Sequence, residues 1–132
     1  MAYGTALVDT IQSSTTGTPT QFQDGSGTQI GTLCRAWVNF NGTSGASPVT
    51  RASFNVSSVT RNSTGLYTLS FITSFTDANY VICGSDSYLL NSNGASSGIV
   101  SFINKATSSV QIITNAGNTG QDSAGVDIAI FR

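Results

Sequence analysis

Period-two alternation between residues 34 and 84 constrains this chain more than any other feature. In CRAWVNFNGT, Cys34, Ala36, Val38 and Phe40 fall on one side, while Arg35, Trp37 and Asn39 fall on the other. A strand sends successive side chains to opposite faces, so the run predicts a half-buried strand with Val38 and Phe40 in the core. ASFNVSSVTRNSTGLYTLSF and the DANYVICG ending at Gly84 repeat the pattern, each block closing on Gly, Asn or Ser. Strands are expected near 30–40, 50–60, 66–75, 79–85, 98–104, 108–114 and 126–132, and that spacing predicts an antiparallel β-sandwich or jelly roll.

Composition supports an all-β domain. The 132 residues contain no Glu, no His and one Lys, and only 8% are charged, against roughly 25% in ordinary globular proteins. Most residues that favour exposed helix faces are therefore missing, while Thr, Val, Ile, Phe and Tyr favour pleated surfaces. With 39% apolar residues the chain has enough hydrophobic surface to fold as a single domain. Polarity comes from 20 Ser, 18 Thr, 10 Asn and 6 Gln. Such a surface suits packing against copies of itself, because few charges need desolvating. A formal net charge of −1 gives no electrostatic drive toward nucleic acid or anionic lipid.

The runs RAWVNFNG, ASFNVSSVT, TGLYTLSF and DANYV, in that order, resemble a module at the distal end of bacteriophage tail fibres, especially those of phages infecting cyanobacteria and other marine bacteria. The resemblance covers residues 17 to 85 well and the remainder loosely. It implies a virion structural protein, assembled as a homotrimer, made in the host cytoplasm and incorporated into the particle. As a fibre tip or knob it would meet a host surface polysaccharide or an outer-membrane receptor. As a capsid decoration (cement) protein it would clamp the shell at threefold positions. The partners implied are its own copies and a fibre shaft, baseplate or major capsid protein.

Residues 1–16 are expected to form an attachment arm or edge strand, with Leu7, Val8 and Ile11 as its apolar contacts, and residues 17–132 the sandwich. The start MAYGTALVDTIQ has no basic segment, and its apolar run is too short for a signal peptide or a membrane span. No heptad or collagen period marks a fibre shaft. Pro19 and Asp24-Gly25 mark a turn-rich stretch over 13–29, and Asn62-Ser63-Thr64-Gly65 a hairpin turn. Two long loops, Asp86–Ser97 and Asn115–Gly125, are the natural recognition elements, with Tyr88, Leu89, Leu90, Asn91, Asn93, Asn118 and Gln121 as candidates.

Catalytic chemistry finds little support. Without His, every Ser-His and Cys-His nucleophile is excluded. The six Asp, at 9, 24, 77, 86, 122 and 127, admit a glycosidase-type pair of the tailspike kind, but each is expected at a strand end or turn, bonding backbone. Asp122 and Asp127 offer hard oxygens for calcium without matching a loop pattern, two Cys 49 positions apart make no zinc site, and no cofactor is implied. Cys34 and Cys83 are expected to be small buried side chains, with a disulfide open if their strands are neighbours. Trp37 is placed in the core or at a subunit interface, with sugar stacking as the alternative. Three Asn-X-Ser/Thr sequons, at Asn41, Asn55 and Asn62, are expected by chance in so Ser/Thr-rich a chain.

Overall fold

The computed structural model describes residues 8–12, 14, 20–45, 47–87, 97–116 and 119–132. The described residues are all-β: β1 (Gln21–Gln23), β2 (Gln29–Thr32), β3 (Cys34–Asn41), β4 (Val49–Phe54), β5 (Val56–Ser63), β6 (Leu66–Phe71), β7 (Val81–Ser87), β8 (Ser97–Ile103), β9 (Ser109–Ala116), β10 (Thr119–Gly120) and β11 (Gly125–Phe131). The chain divides into two units, Met1–Leu33 and Cys34–Arg132.

In the first unit β1 and β2 pair as an antiparallel hairpin; β1 lies inside the stretch 13–29 expected to be turn-rich, and β2 at the start of the strand expected near 30–40, which divides at Leu33 into β2 and β3. The hairpin connection is held by Asp24, whose carboxylate accepts from the Ser26 and Thr28 amides, each at 2.9 Å. Gly27 supplies the positive φ of 84°.

In the second unit one antiparallel sheet runs β4-β3-β11-β7-β8-β9-β6-β5, with β10 added to β9. β8 bends the sheet into two layers. Its first residues pair with β7 (Asp86↔Gly98, Ser87↔Ser97), and its later ones with β9 (Ile99↔Asn115 through Ile103↔Gln111). The inner face of one layer carries Ala36, Val38 and Phe40 from β3 and Val126, Ile128 and Ile130 from β11. The other supplies Tyr67, Leu69 and Phe71 from β6 and Val110 and Ile112 from β9. Phe40 meets Tyr67 edge to face at a centroid distance of 5.2 Å, in the range aromatic pairs favour. This arrangement is consistent with a β-sandwich.

The alternation in β3 is realised in full, and the strand is central, paired with β4 on one side and β11 on the other. The strand expected over 50–60 is interrupted. Asn55 takes a φ of 55°, a left-handed conformation that Asn tolerates better than most residues. Its side chain holds the corner by donating to the carbonyls of Arg35 and Thr73 and accepting from the Thr73 amide at 2.7 Å. Below it, Phe71, Phe75 and Tyr80 form an aromatic cluster with centroids 4.8 to 6.0 Å apart. The strand expected over 66–75 accordingly ends at Phe71.

Two glycines are required by close approach. A Cβ on Gly84 would lie 2.7 Å from the Ile128 side chain and 3.0 Å from Phe102, which fill the space beneath β7. At Gly65, φ is 71°, and a Cβ would sit 2.5 Å from the Thr114 carbonyl oxygen. The Thr64-Gly65 turn can therefore lie against β9 and the segment that follows it.

Phe40 is fully buried at the contact between the layers. Phe40→Ala should destabilise the protein by about 3–5 kcal/mol, by loss of transfer energy and cavity formation. A denaturant titration giving less than about 1 kcal/mol would show that the interlayer contact is wrongly placed.

Candidate functional site

Because β3, β11 and β7 bury alternate residues, their other residues face outward in cross-strand rows. In one row Phe54, Trp37, Ala129 and Cys83 stand side by side across β4, β3, β11 and β7. In the next row Asn39, Asp127 and Ser85 do the same. Ala129 is small, so a trough of about 430 Å³ opens above it between Trp37 and Cys83. Strand spacing makes that trough roughly 10 Å across. Trp37 is 39% exposed.

The polar row is ordered by hydrogen bonds among its own side chains and from Arg51 beside it. The Asn39 amide donates to Asp127 Oδ1 at 2.5 Å, and Arg51 donates to Asn39 Oδ1 at 3.3 Å and to the Ala124 carbonyl at 2.6 Å. Asp127 and Ser85 are exposed, and Asp127 Oδ2 and Ser85 Oγ have no protein hydrogen-bond partner among the described residues. The groove thus sets an aromatic platform beside a row of acceptors and donors. A second hollow, lined by Arg35, Phe54, Asn55 and Ile72 among others, has its amide already committed at the Asn55 corner.

These positions change several expectations. Trp37 is not in the core, because the register that buries Val38 turns the indole outward. Cys83 is exposed and Cys34 partly buried, and both are free thiols. Cys83 faces outward because it neighbours Ala129 on the outer row while Ile82 turns inward. Asp86 and Asp127 lie inside strands rather than at their ends or in turns, since β7 continues to Ser87 and β11 starts at Gly125.

Asp122 and Asp127 do not form a common ligand set. Asp127 belongs to the outer groove, whereas Asp122 is enclosed by the β5–β6 hairpin. Arg61 donates to both Asp122 oxygens at 2.9 and 3.0 Å, the Gly65 amide donates at 2.9 Å, and the Tyr67 hydroxyl donates at 2.5 Å. Burial opposes ionisation of Asp122, but the hydrogen bonds from Arg61, Gly65 and Tyr67 outweigh it and hold the carboxyl below its ordinary range. Burial, reinforced by the Asp122 carboxylate, raises the Tyr67 phenol well above its ordinary value. Among the described residues no cluster of three metal-ligating side chains occurs, and no helix is long and apolar enough to cross a membrane.

Of the loop candidates, Tyr88, Leu89, Leu90, Asn91, Asn93 and Asn118 lie outside the described residues, as does Leu7 of the arm. Gln121 is described, and its backbone is tied down: its amide donates to the Thr114 carbonyl at 2.9 Å and its carbonyl accepts from the Thr114 hydroxyl at 2.5 Å. The segment Asn115–Gly125, expected as an open loop, contains instead the β9–β10 pairing of Thr119↔Ala116 and Gly120↔Asn115. Val8 and Ile11 are 60% and 62% exposed. The outer-row residues Asp127, Ala129 and Cys83 were not singled out from sequence as surface groups, although the alternation in GVDIAIF carries the signal for the first two.

The strand ends flanking both long segments converge. Ser87 pairs with Gly125 and with Ser97, and Ile99 pairs with Asn115. That end of the second unit is opposite the one at which β3 begins at Cys34 and β4 passes into β5. No family model matches the chain, and neither a curated protein nor a solved structure matches it.

Asp122→Asn should destabilise the protein by about 1–2 kcal/mol at pH 7 by weakening the bonds to Arg61, Gly65 and Tyr67. Since the folded carboxyl titrates below its unfolded value, its contribution is present above about pH 4 and is lost as pH falls through the folded value. The gap between wild type and variant should therefore close in acid. Equal gaps at pH 7 and pH 2 in parallel denaturant titrations would contradict the assignment.

Proposed function

We propose that this chain is a non-enzymatic structural protein of a phage virion, a homotrimeric fibre tip or knob that binds the host cell surface. One observation carries the proposal: the strand ends at Ser87, Ser97, Asn115 and Gly125 lie together at the end of the second unit opposite Cys34. A module anchored through its N-terminal side presents that end away from the anchor, and loops at such an end commonly carry function. The fibre resemblance falls on residues 35–42, 52–60, 64–71 and 77–81, which contain most of β3, all of β6, parts of β4 and β5 and the first residue of β7.

Three further features fit. Asp77, Asp86 and Asp122 are engaged by Arg132, Ser123 and Arg61, a use of carboxylates in keeping with a structural role. The near absence of charge lowers the cost of burying flat sheet surface against other copies. Three copies would also convert weak contacts to a host polysaccharide or outer-membrane receptor into durable attachment.

The Met1–Leu33 unit favours a second possibility, capsid decoration. Val8, Ile11, Phe22, Ile30 and Leu33 are all exposed there, an apolar set suited to docking on another virion protein by strand addition or groove insertion. In that case the arm clamps a shell at threefold positions.

Particles lacking the protein distinguish the two. A fibre tip requires that they lose adsorption to host cells while their capsids withstand heat and low salt, and that intact particles hold a few dozen copies or fewer. Heat-fragile capsids with normal adsorption, and several hundred copies per particle, would make it a decoration protein. A purified chain that stays monomeric at micromolar concentration by mass measurement would overturn the trimer in either case.

A further inference from the structure

We propose that the trough between Trp37 and Cys83 is a binding site for a neutral saccharide, the sugar ring lying on the indole and its hydroxyls held by Asp127 and Ser85. This rests on the host-surface proposal and deepens it by naming a ligand class, and it adds a contact on the side of the sheet to the end that bears the long connections.

A pyranose is amphipathic in a particular way: its ring faces are largely C–H, and its rim is hydroxyl. The outer surface of β3, β11 and β7 has the complementary arrangement. The apolar row of Trp37, Ala129 and Cys83 lies beside the polar row of Asn39, Asp127 and Ser85, and the two rows are about 7 Å apart along the strands. Ala129 keeps the floor low enough for a ring to reach the exposed indole. A volume near 430 Å³ falls within the range of about 300–1,000 Å³ typical of ligand sites.

The polar groups are preorganised. Arg51 fixes Asn39, and Asn39 fixes one oxygen of Asp127, which leaves the other oxygen available to accept from a hydroxyl. Ser85 Oγ can donate or accept. Because these groups sit on paired strands, little conformational freedom is lost when a ligand meets them.

Charge decides between ligand classes. Asp127 disfavours a phosphate, a sulfated sugar or a nucleic acid. Arg51, exposed on β4 beside the row, donates to the Asn39 side chain and the Ala124 carbonyl. A protein partner covering the same face would bury the Asp127 carboxylate, which forms no ion pair among the described residues, and that is costly. A neutral sugar replaces the water on that carboxylate with hydroxyls and leaves it paired.

Trp37 is the only Trp in the chain, so its fluorescence reports the site directly. The purified full chain would be titrated with soluble hexasaccharides of glucose, mannose, galactose and N-acetylglucosamine. The expected result is a saturable change in Trp37 emission with at least one of them. By calorimetry, Asp127→Ala should lower its affinity by about tenfold, a loss equal to about 1.4 kcal/mol, at an unchanged thermal midpoint. Trp37→Phe should retain measurable binding, and Trp37→Ala should lose it. A Trp37→Ala chain that fails to fold leaves the decision to Asp127→Ala and Trp37→Phe.

Binding unaltered in both of those variants would place the saccharide elsewhere and overturn the site. No response to any of the four sugars, with fluorescently labelled protein still coating host cells, would overturn the saccharide proposal while leaving the host-surface function standing. Absence of both would remove the two together.

Discussion

Tyr67 is the side chain on which the folded unit depends. Its ring is fully buried and meets Phe40 of the opposite layer, while its hydroxyl donates to Asp122. One residue thus joins apolar packing between layers to the polar network that fastens the β5–β6 turn to the segment before β11. The hydroxyl could not be buried alone, because an unpaired polar group in the core costs free energy. Asp122 satisfies it, and Arg61 satisfies Asp122. Each partner makes burial of the next tolerable, and the Asp122 network adds to the β9–β10 pairing and the Thr114–Gln121 bonds that hold 119–124.

That closure also sets the surface. Once the inner faces of β3 and β11 are committed to Tyr67, Leu69 and Ile112, period two leaves Trp37, Asn39, Asp127 and Ala129 outward. The groove is therefore a consequence of core packing and does not rely on a flexible loop. Low charge has a related effect. With Arg51, Arg61 and Arg132 each engaged by partners within the chain, the outer sheet face is defined by aromatic and amide groups more than by ionic ones.

Much of this was legible in the sequence, and the reasons differ from element to element. β3 and the Thr64-Gly65 turn could be read because each rests on a local rule, strand alternation in one case and a positive φ in the other. The Asn55 corner could not, since RASFNVSSVT alternates well enough to look like one strand. Its break depends on carbonyls of Arg35 and Thr73 brought near by folding. The exchange of partners along β8 is likewise a property of the folded sheet. Nor does spacing reveal that Asp122 pairs with Arg61, 61 positions away, or that Thr114 pins Gln121. Trp37 was placed on the correct side of β3, opposite Phe40. The expectation that it lines the core failed because the indole's size argues for burial only when its strand face is buried too. Of the site, then, the platform residue was visible, while the floor and polar row required knowing that β11 lies between β3 and β7.

Closure of the folded unit turns on the coupling of Tyr67 to Asp122, and a double-mutant cycle measures that coupling directly. Tyr67→Phe, Asp122→Asn and the double variant, compared with wild type by denaturant unfolding at pH 7, should give an interaction energy of about 1 kcal/mol or more. Additive losses, with an interaction energy within about 0.3 kcal/mol of zero, would mean that the hydroxyl and the carboxylate do not depend on each other, and the closure described here would be wrong.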